Sequence, residues 1–99
     1  MTQVVILDNE DVTYILEDIQ GLTFAHLEIH RWSSRVFRRL VRVLDATLQQ
    51  VGSVHVAVWN SKLEKFVKML KFKDTGHTIT AKWYGSEDEI IAKHFVREL

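Results

Sequence analysis

Apolar and polar positions alternate in the first third of the chain. Val4-Val5-Ile6-Leu7 makes a short apolar strand and Asp8-Asn9-Glu10-Asp11 a polar turn. Residues 12–17 are β-branched and aromatic, which predicts a second strand. Gln20-Gly21 turns the chain again, and residues 22–29 form a third strand, so an antiparallel meander is expected. The period then changes. Phe37, Leu40, Val41, Leu44, Leu48 and Val51 recur three and four residues apart, the stripe of a long amphipathic helix. Ser33 or Ser34 is its expected N-cap, and Gly52 is placed to end it. Alternation returns at 54–59, where Val54, Val56 and Val58 oppose His55, Ala57 and Trp59. Ser61-Lys62-Leu63-Glu64 reads as a capping box with Ser61 as N-cap. Leu63, Phe66, Val67 and Leu70 then give a second helix its apolar face. Asp74-Thr75-Gly76 predicts a turn, and residues 78–84 a half-buried strand. Ser86-Glu87-Asp88-Glu89 reads as another capping box, opening a last helix over 86–99 with Ile90, Ile91, Phe95 and Leu99 on its buried side.

The resulting order is β-β-β-α-β-α-β-α. It predicts an α/β (α+β) fold with a mixed sheet and helices packed on its faces. The first helix joins neighbouring strands as a right-handed crossover, so those two strands should be parallel. One domain over 1–99 is expected, with a core over 4–84. The last helix must bury its stripe against the domain's own sheet or against a second copy, as a homodimer.

Composition narrows the chemistry. There is no cysteine, hence no disulfide framework and no thiolate metal site. No apolar run approaches the ~18 residues of a membrane span, and residues 1–7 lack the basic start of a signal peptide, so a cytoplasmic location away from membranes is expected. The net charge is zero, but the charges are sorted. Residues 1–30 contain Asp8, Glu10, Asp11, Glu17, Asp18 and Glu28 and neither Lys nor Arg. Arg31, Arg35, Arg38, Arg39, Arg42 and five lysines crowd residues 31–73. Such sorting points to a basic face for an anionic ligand or partner, or to two solvated helix faces. Net neutrality argues against nucleic acid, for which non-specific affinity should be weak.

Two constellations carry candidate chemistry. His26, Glu28 and His30 share one face of the third strand, the material of a general base or of a polar sheet face. At about 6–7 Å between neighbours they stand wide for one tetrahedral metal ion. Asn60, at a strand end, offers a donor and an acceptor to an amide-rich ligand, or shapes the turn before the helix.

The stretch Val56-Ala57-Val58-Trp59-Asn60, followed by Lys65-Phe66, Leu70-Lys71-Phe72 and Thr75-Gly76, resembles the GCN5-related N-acetyltransferase (GNAT) superfamily. The likeness runs over roughly 4–84 and is sharpest over 56–76. Residues 31–83 look closest to small bacteriophage proteins related to it. The resemblance implies acetyl-CoA in a V between a strand, a long helix and a splayed parallel strand, with the pyrophosphate at the helix N-terminus. It implies that Arg31, Ser34 and Arg35 hold phosphates, that Ile29 and Phe66 line the cofactor, and that Asn60 meets its pantetheine arm. Glu28, with His26 second, is the implied base. The sequence departs from the family at Ser34 and Val36, where small residues are usual, and has no tyrosine in its second helix, where Phe66 stands; Tyr84 is the remaining candidate acid. Val36 or Trp59 would fill the V if either side chain turned inward. The family's first strand and two helices, much of its acceptor site, have no counterpart in 1–99, so that wall is missing or supplied by a partner. An acetyltransferase and a non-catalytic, phage-encoded relative that binds a host or virion protein are both implied. The latter would place the chain in the host cytoplasm or the virion.

Overall fold

Among the described residues the hydrophobic pattern resolves into six strands and two helices. In the computed structural model, residues 3–82 and 89–99 are described. They form β1 (Gln3–Asp8), β2 (Val12–Ile19), β3 (Leu22–Ile29), α1 (Ser34–Val51), β4 (Ser53–Val58), α2 (Ser61–Met69), β5 (Lys73–Lys82) and β6 (Glu89–Glu98). The six strands make one mixed sheet in the order β1-β2-β3-β4-β6-β5. The meander is present: β1 and β2, then β2 and β3, pair antiparallel.

Helix α1 forms where the stripe predicts it. Ser33 caps it, its Oγ accepting the Val36 N–H at 3.1 Å. Gly52 closes it at φ 83°, a left-handed conformation that suits glycine, and donates its N–H to Leu48 O at 2.9 Å. The buried face is Val36, Leu40, Leu44 and Leu48. Trimming one of these leucines to alanine would cost about 2–5 kcal/mol. The crossover leaves β3 and β4 parallel, as expected.

Four expectations are corrected. The N-cap of α2 is Asn60 rather than Ser61: Asn60 Oδ1 accepts the Leu63 N–H at 2.8 Å, and Ser61 is the first helical residue. The segment 74–76 does not separate two elements. It lies inside β5 as a register irregularity between Asp74 and Thr78, with Gly76 at φ 81°.

The largest correction concerns the last element, which is a strand. β6 inserts between β4 and β5 and pairs antiparallel with both. Phe95 is buried at 0 % exposure, yet Ile91 and Leu99 stand 78 % and 72 % exposed, so the expected helical stripe is not the buried one. The physical reason is the free edge of β4. Its backbone groups need partners, and the β-branched and aromatic Ile90, Ile91, Phe95 and Val96 suit a strand that supplies them. The expected cap at Ser86, Trp83 and the candidate acid Tyr84 lie outside the described residues.

Fourth, the two helices share one face of the sheet. Tyr14 OH donates to Thr47 Oγ1 of α1 at 3.4 Å. Arg97 of β6 reaches Asp45 of α1 at 2.9 Å and the carbonyl of Leu70, the C-cap of α2, at 3.4 Å. Side chains of both helices enter one core cluster with Val54, Val56, Val58 and Phe95. The buried face of α2 is Leu63, Phe66 and Val67, which enter that cluster with the leucines of α1. On the opposite face no helix lies among the described residues. No helix there is long and apolar enough to cross a membrane.

Candidate functional site

A parallel pair joined by a crossover can stay in register or splay. Here it splays. β2 and β3 pair along their whole length, from Val12↔Ile29 to Ile19↔Leu22, and β4 pairs with β6 from Ser53 to Val58. Between β3 and β4 the ladder holds at Phe24↔His55. Beyond that pair the facing edges no longer bond to each other, and a slot opens toward the C-terminal ends of both strands.

The slot contains a cavity of about 290 Å³. Leu27, Glu28 and Ile29 line it from β3, Trp32 from the segment before α1, and Trp59, Asn60, Lys62, Leu63 and Phe66 from the start of α2. Leu27 belongs to the core on the helix side, and Ile29 packs against that core. Glu28 pairs with Thr13 on the other face. Leu27, Glu28 and Ile29, the last residues of β3, thus border one cavity at the end of the strand.

Its walls are mostly aromatic and aliphatic. Trp32 sets its ring edge-on against Phe66 of α2 (centroids 5.1 Å, 87°) and against Phe37 of α1 (5.6 Å, 63°), spanning the two helices. Both Trp32 and Trp59 remain half exposed. Val36 is buried in the core, so its bulk is turned away from the helix mouth. Trp59 does line the slot.

Basic groups and two helix N-termini gather on the helix side of the slot, where the one first-turn acid, Glu64 of α2, is bonded to Lys68 and Lys93. Both helices start just beyond the splayed strands, so both positive dipole ends sit at this end of the sheet. The first turn of α1 carries no acid. Arg35 and Lys62 occupy the second position of their helices. Arg31 is exposed and 3.5 Å from Glu10. One helical N–H is already engaged, because Ser33 Oγ takes that of Val36. The N–H groups of Ser34 and Arg35, in the first turn, have no carbonyl within their helix to bond.

The expected site residues divide. Glu28, Ile29, Asn60 and Phe66 come together in the cavity. Arg31, Ser34 and Arg35 stand at the start of α1 and do not line it. His26 lies on the helix-free face, with its Nε2 3.2 Å from Glu17 Oε1, a buried carboxylate that also accepts from Gln3 Nε2 at 2.7 Å. His30 reaches Thr13 Oγ1 at 3.0 Å and lies 4.0 Å from Glu28. No three potential metal ligands converge among the described residues. Sequence reasoning did not single out Trp32, Lys62 or Leu63 as lining residues. The available signal for Trp32 was a bulky aromatic placed directly before a helix cap.

A second cluster stands beside the Phe24↔His55 pair, on the helix-free face. His55 Nδ1 and His94 Nε2 share a hydrogen at 2.8 Å, and Thr75 Oγ1 donates to the His94 carbonyl at 2.9 Å. Phe24 packs against both imidazoles. Burial lowers the pKa of each histidine, and His94 lowers that of His55 further.

No protein-family model, no curated protein and no solved structure matches this chain.

Proposed function

We propose that this chain is a GNAT-like protein that binds acetyl-CoA in the slot between β3 and β4 and transfers the acetyl group to an amine. The observation that carries the reading is the splay itself: two parallel strands bonded at Phe24↔His55 that then part around an apolar cavity. An edge in such a gap keeps backbone N–H and C=O groups in want of partners. A chain of amides with an apolar body, which describes pantetheine, supplies them. About 300 Å³ is the lower end of small-ligand cavities. It suits that arm, with the nucleotide lying outside over the helix starts.

The residues fit the group in three respects. Leu27, Ile29, Leu63, Phe66 and Trp32 give the arm an apolar wall. Asn60 uses its oxygen in the α2 cap, which leaves its amide hydrogens as the donors it can offer. Arg31, Ser34, Arg35 and Lys62, with two helix N-termini, favour phosphates on the helix side. When bound, acetyl-CoA supplies a thioester whose C–S bond breaks as a C–N bond forms. Glu28 projects from the far face and takes a proton from the incoming ammonium. Phe66 cannot donate a proton to the departing thiolate. A thiolate with a pKa of about 8.5 leaves acceptably and is protonated by water.

Calorimetric titration with acetyl-CoA and with CoA tests the reading. Micromolar binding that weakens in Arg35→Ala supports it. No heat and no thermal stabilisation at millimolar ligand removes it. The non-catalytic reading has its own support in Ser33, whose side chain occupies a helix N–H that a phosphate would otherwise receive. Absence of CoA binding in a folded protein would favour it.

A further inference from the structure

We infer that the outer face of the two helices docks a carboxylate-rich segment of a partner protein. The surface begins with α1. Arg35, Arg38, Arg39 and Arg42 are exposed and recur three and four residues apart, on the side of the helix opposite Leu40, Leu44 and Leu48. α2 adds Lys62 and Lys65, also exposed. None of these cations has an acid within ion-pairing distance among the described residues. The acids of the two helices are engaged elsewhere, Asp45 with Arg97 and Glu64 with Lys68 and Lys93. Arg38, Arg39, Arg42 and Lys65 line no part of the slot, so this surface stands whether or not the slot holds CoA.

The arrangement costs the folded chain stability. Like charges at i, i+3 and i, i+4 of a helix repel, and Arg38 and Arg39 each face both Arg35 and Arg42 at those spacings. Arg35 also stands at the positive end of the helix dipole, in a first turn without an acid. Nothing within the chain relieves this repulsion. A negative partner does.

The geometry selects the kind of partner. Guanidinium forks hold carboxylate or phosphate oxygens in pairs. The stripe is short, about 10 Å from Arg35 to Arg42 at helical rise. Acids bound it at both ends: Glu10 lies against Arg31 just before α1, and Asp45 stands one turn beyond Arg42. A continuous nucleic-acid strand would run past one acid or the other, whereas a short run of Glu or Asp fits between them. Beyond Arg42 the exposed residues are Ala46 and Gln49, not the large apolar side chains with which a helix enters a membrane surface. Register places Asp8, Glu17 and Glu28 on the helix-free face. The sheet and the helix layer separate them from the arginines by more than the Debye length of about 8 Å, so the neutrality of the whole chain does not cancel the local field.

The test uses the full chain and a fluorescein-labelled hexaglutamate peptide, followed by anisotropy at low and at raised salt. A hexalysine peptide, a single-stranded oligonucleotide of the same charge as hexaglutamate, and phosphatidylserine vesicles are run alongside. Hexaglutamate should bind, and its binding should weaken steeply with salt. Arg38→Gln/Arg42→Gln should weaken it by at least about tenfold. The same double variant should raise Tm by about 2–5 °C, because it removes like-charge pairs from α1. Weaker binding by a more stable protein excludes loss of fold as the cause. The reversal Arg38→Glu/Arg42→Glu should lose hexaglutamate and acquire hexalysine. Tighter binding of the oligonucleotide or the vesicles than of hexaglutamate would overturn the inference. So would hexaglutamate binding that the glutamine double variant leaves unchanged, or no binding of hexaglutamate at low salt.

Discussion

Asn60 offers a sharp separation of structure from function, because its two side-chain groups do different jobs. The oxygen caps α2, and the amide hydrogens remain for a ligand. Asn60→Ala removes both. Loss of an N-cap costs about 1 kcal/mol. For a domain of this size that lowers Tm by roughly 4–8 °C. Asn60→Asp keeps a capping oxygen and puts a carboxylate at a helix N-terminus, where the dipole favours it by a few tenths of a kcal/mol, about 0.3–1. Its Tm should equal or exceed that of the wild type. The same variant has lost the donors and places a negative charge beside the phosphate side. Losing one neutral hydrogen bond of about 1 kcal/mol weakens CoA roughly fivefold, and repulsion adds to that. Thermal melts by circular dichroism and calorimetry with CoA read the two effects independently. Equal destabilisation of Asn60→Ala and Asn60→Asp would refute the cap. Wild-type CoA affinity in Asn60→Asp would refute the ligand role.

Three other outcomes follow from the geometry. Phe95→Ala should cost about 3–5 kcal/mol in urea unfolding, whereas Ile91→Ala should change stability by less than about 0.5 kcal/mol; similar losses at both would contradict β6 as a strand. Ser33→Gly should cost only a few tenths of a kcal/mol, about 0.3, and should tighten CoA binding a few-fold by releasing the Val36 N–H; unchanged affinity would place the phosphates elsewhere. His55 and His94 have folded pKa values below the ordinary 6.5, so on acidification the unfolded chain takes up their protons first. The stability they contribute is complete above about pH 6.5 and declines as pH falls through the window below it. Thr75 and Phe24 touch the pair, and the charges of Glu98 and His77 act on it. A His55→Gln/His94→Gln double variant should flatten that part of the stability profile, and an unaltered profile would rule the pair out as its source.

Much of the fold is legible in the sequence, for reasons of period. The stripe from Phe37 to Leu48 admits only a helix, and the alternation of Val54, Val56 and Val58 only a strand with one covered face. Residues 89–98 are different. Ile90, Ile91 and Phe95 fit a helical face, and an acidic run before them imitates a cap. What decides the matter is the unfilled edge of β4, a tertiary demand that no local window contains. The same holds for the site. Glu28 and Asn60 are visible as residues at strand ends, but the cavity exists because β3 and β4 part, a splay that the family resemblance implies and that the residue pattern of neither strand announces. Nor does the spacing show that Trp32 turns back over Phe66.

The single pairing Phe24↔His55 also has a mechanical consequence. It divides the sheet into two antiparallel triplets, each continuous within itself, hinged at one point and strapped across the back by α1. Twisting one triplet against the other breaks few hydrogen bonds, so the width of the gap is soft while each triplet is stiff. Amide hydrogen exchange should therefore be slow inside β2 and β6 and fast along the facing edges of β3 and β4. A guest lying in the gap would act as mortar between two slabs, and its mark would be slower exchange along those edges alone.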